Sequence, residues 1–357
     1  KKAVHIPVFA TGSITQPDYA EEILASGKAD FISMGRPLLA DPYWAKKAME
    51  GRAEDISPCI RCNEGCLDRG NHLGKSINCT MNPLLGFEDA LAIHPAEEKK
   101  KVAVVGGGPA GLKAADTVAL RGHDVTLFEK RALGGYLFEA SYPDFKADIR
   151  DAHKYLVTQV NKHGVHIVEK EAALQDLEDF DAVIVAAGAS PAGLPVPGAD
   201  RENVTLAVEA LKDGGPRPTG EVVVVGGGLI GVETALFFSA RPNTHVTILE
   251  MLPQIMNGCS DSDRTVYSQW IQERNVAVYT SSRVAAISEA GVVIEQNGRK
   301  KTVPADHVFL ATGMKPNSGL YDQLLEKGIR AFSVGDSQAI GKIYDAIHDG
   351  YKAGLKV

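Results

Sequence analysis

The feature that most limits the fold is a long pattern that occurs twice. "KVAVVGGGPAGLKAADTVALRGHDVTLFEK" starts at Lys101, and "EVVVVGGGLIGVETALFFSARPNTHVTILE" starts at Glu221. Each reads as an apolar strand, a glycine turn, a helix and a second strand closing on an acid, Glu129 in the first and Glu250 in the second. In Gly106, Gly108 and Gly111, and again in Gly226, Gly228 and Gly231, the spacing is GxGxxG. The first glycine makes the turn, the second lets a pyrophosphate approach the backbone, and the third lets helix pack on strand. A helix N-terminus then faces the phosphates, and the acid is placed to accept hydrogen bonds from a ribose. Glu250 favours NADH, because a carboxylate repels a 2′-phosphate; Arg241, not far upstream, keeps NADPH open.

Each module is followed by a late strand that runs into a glycine turn, "DAVIVAAGASP" and "DHVFLATGMKPN", and the chain closes with "FSVGDSQAIGKIYDAIHDGYKAG". Ahead of both modules, residues 1 to about 45 read strand, helix, strand, helix in "IPVFATGSI", "PDYAEEILASG", "ADFISMGRP" and "DPYWAKKAMEG". That is the repeating unit of parallel sheets and (β/α) barrels. Gly12 and Ser13 after one strand, and Gly35 and Arg36 after the next, are placed like the phosphate grip of barrels, an ordinary βα turn with an exposed Arg being the alternative. Two such units cannot close a barrel, and the chain enters a strand pattern almost at once, so we read it as the C-terminal part of a longer polypeptide.

Between about 50 and 95 the periodicity stops, and the stretch "PCIRCNEGCLDRGNHLGKSINCTMNP" holds four of the five cysteines. Cys59, Cys62, Cys66 and Cys79 follow CxxCxxxC, then twelve residues, then C. A loop this long needs an organiser. A disulfide scaffold suits neither a chain of this size nor a reducing compartment, whereas four thiolates fit a tetrahedral zinc or an iron–sulfur cluster. Spacing alone does not separate the two. Three ligands crowded in one loop are closer to cluster practice than the paired knuckles of zinc ribbons, and two redox nucleotide modules next door favour a centre that carries electrons. Cys259, Trp270, His72, His153, His163 and His166 read as packing or surface residues.

Composition excludes other classes. With 357 residues and 44% hydrophobic content, the chain can bury more than one core, and a formal charge of −7 without a basic stripe argues against nucleic acid. No apolar run approaches a membrane span and no signal-peptide pattern opens the chain, so a cytoplasmic setting is expected.

Taken together, "ATGSI", "FISMGRPLLADP", "PCIRCNEGCLD", "NCTMNP", "VAVVGGGPAGL", "LGGYL", "VVVVGGGLIGVETA", "ATGMKPN" and "VGD" resemble one group of iron–sulfur flavoenzymes. These join an old-yellow-enzyme-type barrel to a pyridine-nucleotide-disulfide-reductase-like module, as in 2,4-dienoyl-CoA reductase and trimethylamine dehydrogenase. The resemblance implies an α/β fold: the end of a (β/α)8 barrel over residues 1–48, a Cys-rich [4Fe-4S] segment over 49–98, and two Rossmann-like dinucleotide-binding domains. The FAD-binding domain would span 99–217 and 312–357, with the NAD(P)H-binding domain, 218–311, inserted in it. It further implies FMN phosphate at Gly12, Ser13, Gly35 and Arg36, and a [4Fe-4S] cluster on Cys59, Cys62, Cys66 and Cys79. FAD would lie at the first glycine turn with Glu129, Gly134, Gly135, Gly335 and Asp336, and the nicotinamide nucleotide at the second with Glu250. Electrons would then pass from NADH through FAD and the cluster to FMN, and on to a small unsaturated carbonyl or enoyl-CoA substrate. Three alternatives stand beside this reading: an amine dehydrogenase with ADP in the first site, a diaphorase module serving an electron-transfer partner, and a zinc-stabilised nucleotide-binding scaffold. A homo-oligomer is compatible with all of them.

Overall fold

The computed structural model describes residues 1–357. Backbone contacts divide them into two compact units: Lys1–Leu137, Asp148–Gly188 and Asn317–Val357 form the first, and Phe138–Ala147 with Ala189–Pro316 forms the second. No helix is long and apolar enough to cross a membrane.

A five-stranded parallel sheet lies at the centre of the first unit, in the order Ala331–Ser333, Ala182–Val185, Lys101–Val105, Asp124–Phe128, His166–Val168. Its middle strands are continuous apolar runs, as expected for parallel strands covered on both faces, and Val102, Ala103, Val104, Val183 and Ile184 are fully buried. Helix Pro109–Leu120 follows the first glycine turn and is rich in small residues, which lets a second helix, Ile343–Lys356, lie close on it. At the crossing a Cβ on Gly350 would come within 2.1 Å of the Ala110 carbonyl oxygen, and one on Gly354 within 2.8 Å of Thr117 Cβ.

The same unit carries the N-terminal segment. Strands Phe9–Thr11 and Phe31–Ser33 pair in parallel around helix Pro17–Ala25, over a small core of Ile14, Ala20, Ile23, Ala29, Trp44 and Ile56. On the other face Phe9 and Phe31 stack at 4.8 Å and stay 62% and 50% exposed, an unusual state for parallel strands. The structure adds a short helix, Arg36–Ala40, favoured by Pro37 in its first turn, ahead of helix Trp44–Met49. The Cys-rich stretch, aperiodic in sequence, contains a π-helical segment, Glu64–His72, marked by Asp68 N–H donating to the Asn63 carbonyl and Leu73 N–H to that of Asp68. Such segments are rare and concentrate at functional sites.

Helix Asp148–Lys162 braces these parts. Arg61 forms a two-bond ion pair with Asp148 (2.5 and 2.6 Å), and Gln16 reaches Asp151 at 3.3 Å. At its far end Lys162 meets both oxygens of the buried Asp55 carboxylate at 2.5 and 2.6 Å, with Arg52 adding a bond at 2.9 Å.

In the second unit a parallel sheet of the same pattern runs Val204–Leu206, His307–Leu310, Gly220–Val225, Thr244–Leu249, Ala277–Tyr279. A three-stranded antiparallel sheet, Arg283–Ser288, Gly291–Gln296 and Arg299–Val303, covers it with Val284, Ile287, Val292, Ile294 and Val303. The unit is wider than the expected nucleotide segment 218–311. It takes in Val204–Leu206 because that strand pairs with Val308–Leu310, and Phe138–Ala147 because Phe145 packs on Tyr267 and Trp270 and Lys146 bonds Glu233 at 2.6 Å.

Asp55 yields a pH prediction. Burial raises its pKa, but the bonds from Lys162 and Arg52 outweigh that and hold the carboxyl down from 3.8 to about 2. A depressed acid stabilises the fold above its unfolded pKa, and the contribution disappears as pH falls through the folded value. Asp55→Asn should therefore cost about 1–2 kcal/mol at neutral pH, discounted for the partly exposed cations. Thermal melts of mutant and wild type should stay separated by a constant gap down to pH about 4, then converge toward pH about 2. A gap that widens with acid would contradict this.

Candidate functional site

At the first glycine turn the chain reverses at Gly106, φ +103°, where a Cβ would stand 2.2 Å from the Ala186 carbonyl oxygen. Gly111 sits so close beneath the turn that its Cβ would be 1.8 Å from the Gly106 oxygen. Gly108, at the start of the helix, is open: its nearest neighbour is Gly135 Cα, at 4.0 Å. The turn is thus closed behind and vacant in front, which is the shape that a pyrophosphate approaching the helix N-terminus requires. Distant parts of the sequence gather here. Gly134 N–H donates to the Gly107 carbonyl at 2.8 Å, a Cβ on Gly135 would lie 2.9 Å from Gly108 Cα, and one on Gly335 would lie 2.9 Å from Ala110 Cβ. Glu129 Oε2 accepts from Gly107 N–H at 2.6 Å, and Oε1 from Arg131 N–H at 2.7 Å. Asp336 accepts from Gly341 N–H at 2.9 Å, and burial raises its carboxyl pKa.

The second turn repeats this geometry within its own unit. Gly226 has φ +109° and would clash with the Ala311 oxygen at 2.2 Å, a Cβ on Gly231 would meet the Gly226 oxygen at 1.9 Å, and Gly228 has nothing within 4 Å. Glu250 Oε2 accepts from Gly227 N–H at 2.6 Å, Oε1 from Leu252 N–H at 2.8 Å, and Met256 N–H closes on the Gly227 carbonyl at 2.7 Å. Arg241 packs over the rings of Phe237 and Phe238, 5.1 and 5.8 Å from their centroids.

Cys59, Cys62, Cys66 and Cys79 line one small cavity in the first unit, with Leu39, Ile60 and Met81 among its apolar walls. All four thiols are free of disulfides. No three ligand-type side chains come together as the ligands of a single ion would. Burial pushes the Cys59 and Cys62 thiols up and takes Cys79 up to about 12. Thr80 Oγ1 opposes the rise at Cys62, 3.1 Å from its sulfur, and Arg36 opposes it at Cys59. The downstream cysteine is held to the three-cysteine loop through Asn78, whose N–H donates to the Gly65 carbonyl at 2.7 Å. Only glycine fits at 65, because a Cβ there would lie 2.5 Å from the Asn78 oxygen.

Gly12, at φ +109°, Ser13, at φ +51°, and Gly35 follow the paired strands Phe9–Thr11 and Phe31–Ser33, and both glycines have nothing within 4 Å. Arg36 turns its guanidinium to the cysteine cavity, where Nη1 donates to Asn63 Oδ1. Cys259 is buried in the core of the second unit and joins no cluster of thiols.

Three contributors lie outside the residues expected from sequence. Asn63 and Thr80 fall inside the Cys-rich strings, but neither is a ligand type that the spacing of the cysteines singles out. His348, far along the sequence, places Nε2 2.9 Å from the Cys79 carbonyl oxygen, and burial pushes its pKa down to about 4.

Comparisons with known proteins match two stretches of the chain. The model for the pyridine nucleotide-disulphide oxidoreductases matches residues 100–338, and that for the NADH:flavin oxidoreductase / NADH oxidase family matches residues 1–55. An NADH oxidase from Thermoanaerobacter brockii is 38% identical over 100% of this chain and 56% of its own length. A bilirubin reductase from Mediterraneibacter gnavus is 37% identical over 99% of this chain and 55% of its own. A solved complex of 2-naphthoyl-CoA reductase with 2-naphthoyl-CoA superposes with a TM-score of 0.93 at 34% identity, covering 100% of this chain and 55% of that one. The chain spans about half the length of the curated relatives it matches. Two glycine turns of one geometry, each in its own parallel sheet, and the family model that spans both place the chain in the pyridine nucleotide-disulphide oxidoreductase family, joined to an N-terminal segment of the NADH:flavin oxidoreductase kind.

Proposed function

We propose that the chain is the electron-transfer part of an NADH-dependent flavin and iron–sulfur reductase whose substrate is an unsaturated carbonyl compound or an enoyl-CoA-type thioester. The observation that carries this reading is the cavity in which four cysteines, three from one loop and one returning from downstream, face one another in the same unit as the first glycine turn. Three cysteines crowded in one loop with a fourth from downstream are closer to iron–sulfur practice than to the paired knuckles of zinc ribbons, and two nucleotide modules in the same chain favour a centre that carries electrons. The names of the relatives support reduction at the expense of NADH, and the 2-naphthoyl-CoA complex supports a thioester among the substrates.

Cys59, Cys62, Cys66 and Cys79 would hold the [4Fe-4S] cluster, and binding would release protons from Cys59, Cys62 and Cys79, whose thiols burial keeps protonated. The open turn at Gly108, with Glu129, Gly134, Gly135, Gly335 and Asp336, would hold FAD; that at Gly228, with Glu250, would hold NADH. Gly12, Ser13, Gly35 and Arg36 would meet the FMN phosphate at the end of a barrel whose remaining strands would cover Phe9 and Phe31. When bound, flavins supply hydride exchange and a cluster supplies single-electron transfer between them. The chain's own contribution is placement. Helix N-termini and backbone N–H groups receive phosphates, Glu250 accepts from ribose hydroxyls, and Leu39, Ile60 and Met81 give the thiols an apolar wall.

The purified protein should show visible absorbance from flavin and cluster, with roughly four iron and four acid-labile sulfide per chain. Cys62→Ser should lose the iron and sulfide while keeping flavin at the first glycine turn. Zinc in place of iron and sulfide, or a mutant with an undiminished iron content, would refute the assignment. At the second turn, Glu250→Gln should weaken NADH binding by about tenfold, or about 1.4 kcal/mol, and narrow the preference over NADPH. Titration of both nucleotides by fluorescence quenching checks this, and an unchanged ratio of affinities would count against a ribose role for Glu250.

A further inference from the structure

The C-terminal helix Ile343–Lys356 has two working faces. One packs on helix Pro109–Leu120 through Gly350 and Gly354, directly behind the first glycine turn. The other rests on the Cys-rich segment: Lys342 pairs with Glu64, Tyr351 donates to the Leu91 carbonyl at 2.5 Å, and His348 lies 2.9 Å from the Cys79 carbonyl oxygen. A carbonyl oxygen only accepts, so Nε2 of His348 carries the proton and donates it. The imidazole is 5% exposed, and the Tyr344 ring stacks on it with centroids 4.0 Å apart and planes at 22°, which fixes the direction of the N–H.

We propose that His348 is a positioning residue for Cys79: its Nε2–H fixes the Cys79 peptide and thereby the place of the one cysteine that the CxxCxxxC loop does not itself carry. This rests on the cysteines being cluster ligands. Chain connectivity already restrains Cys59, Cys62 and Cys66 relative to one another, whereas Cys79 arrives from downstream of the π-helical segment. Bonds local to its own segment hold it on one side, with Asn78 N–H on the Gly65 carbonyl and Cys79 N–H on Asn78 Oδ1, and His348 holds it from the C-terminal helix on the other. His348 originates on the helix that backs the first glycine turn, so the fourth thiol is referenced to the nucleotide module as well as to its own loop. Groups that orient metal ligands from behind commonly change metal affinity or activity by about 10–100-fold when removed.

The test compares two losses on one helix. His348→Leu removes the donor to Cys79, and Tyr351→Phe removes the donor to Leu91, a bond with no cysteine at its end. In the full chain with its cluster in place, His348→Leu should release iron to a chelator about tenfold faster than wild type and shift the cluster's midpoint potential in an EPR-monitored redox titration. Tyr351→Phe should lower the melting temperature without moving either quantity. His348→Gln, which keeps an amide N–H of similar reach, should restore the wild-type release rate. If His348→Leu fails to fold, His348→Asn, polar but too short to reach the carbonyl, takes its place. Equal effects of the His348 and Tyr351 changes, or no effect of the His348 change on release and potential, would overturn the proposal and leave the cluster assignment standing. Absence of iron and sulfide from the wild type would overturn the assignment itself.

Discussion

Everything in the two nucleotide modules hangs on how closely one helix approaches one strand. At Gly111 and Gly231 a single added carbon would lie 1.8 and 1.9 Å from the carbonyl of the glycine that starts the turn, well inside contact distance. No adjustment of a rotamer relieves a clash with backbone, so the position admits glycine alone. With the helix that close, its first turn projects beyond the ends of the sheet strands, and the vacancy at Gly108 and Gly228 is what remains in front. The acids complete the arrangement. Each gives one carboxylate oxygen to the N–H of the middle glycine at 2.6 Å, which pins the turn and leaves further acceptor capacity on a charged group beside the vacancy.

The cysteine segment is organised on a different principle. It has little regular structure of its own and takes its shape from elements on either side. Helix Asp148–Lys162 holds Arg61 through Asp148, and helix Ile343–Lys356 holds Glu64, Cys79 and Leu91. Between them the π-helical turn is pressed onto Asn78 at Gly65, where a Cβ would meet the Asn78 carbonyl. Burial favours the protonated form of Cys59, Cys62 and Cys79, and the charge of Arg36 offsets only part of this at Cys59. Metal coordination is what would stabilise thiolates there.

How much of this could be read from sequence varies with the range of the cause. Both glycine turns, their acids and the apolar strands around them were legible, because GxGxxG spacing is a local steric requirement and Val-rich runs are local too. The gathering of Gly134, Gly135 and Gly335 at the first turn came from family resemblance, and the contacts at Gly108 and Ala110 give it a physical basis. The hairpin of the second unit carried a readable signal, Asn297-Gly298, both at positive φ as a tight hairpin turn demands, yet a reading centred on nucleotide motifs passed over it. The π-helical segment and the role of His348 had no local signal. One depends on contact between Gly65 and Asn78, the other on a hydrogen bond across 269 residues, and periodicity cannot report either.

Arg36 shows what such non-local packing does to a residue whose type was read correctly. Its place after a parallel strand suggests a phosphate grip, while its side chain lines the cysteine cavity and donates to Asn63, between Cys62 and Cys66. A guanidinium has five donors in one plane, so a bond to Asn63 leaves most of them for other acceptors. Its charge already acts against the burial that raises the Cys59 thiol. Under the function proposed above, a phosphate on one side and a cluster with thiolate ligands on the other would both draw on this one cation. Coulomb interactions at such range are strong where water is excluded, so anionic charge gained at either site would be felt at the other through a shared side chain. The short helix Arg36–Ala40, inserted between the last parallel strand and helix Trp44–Met49, is the element that puts that charge at the cavity wall.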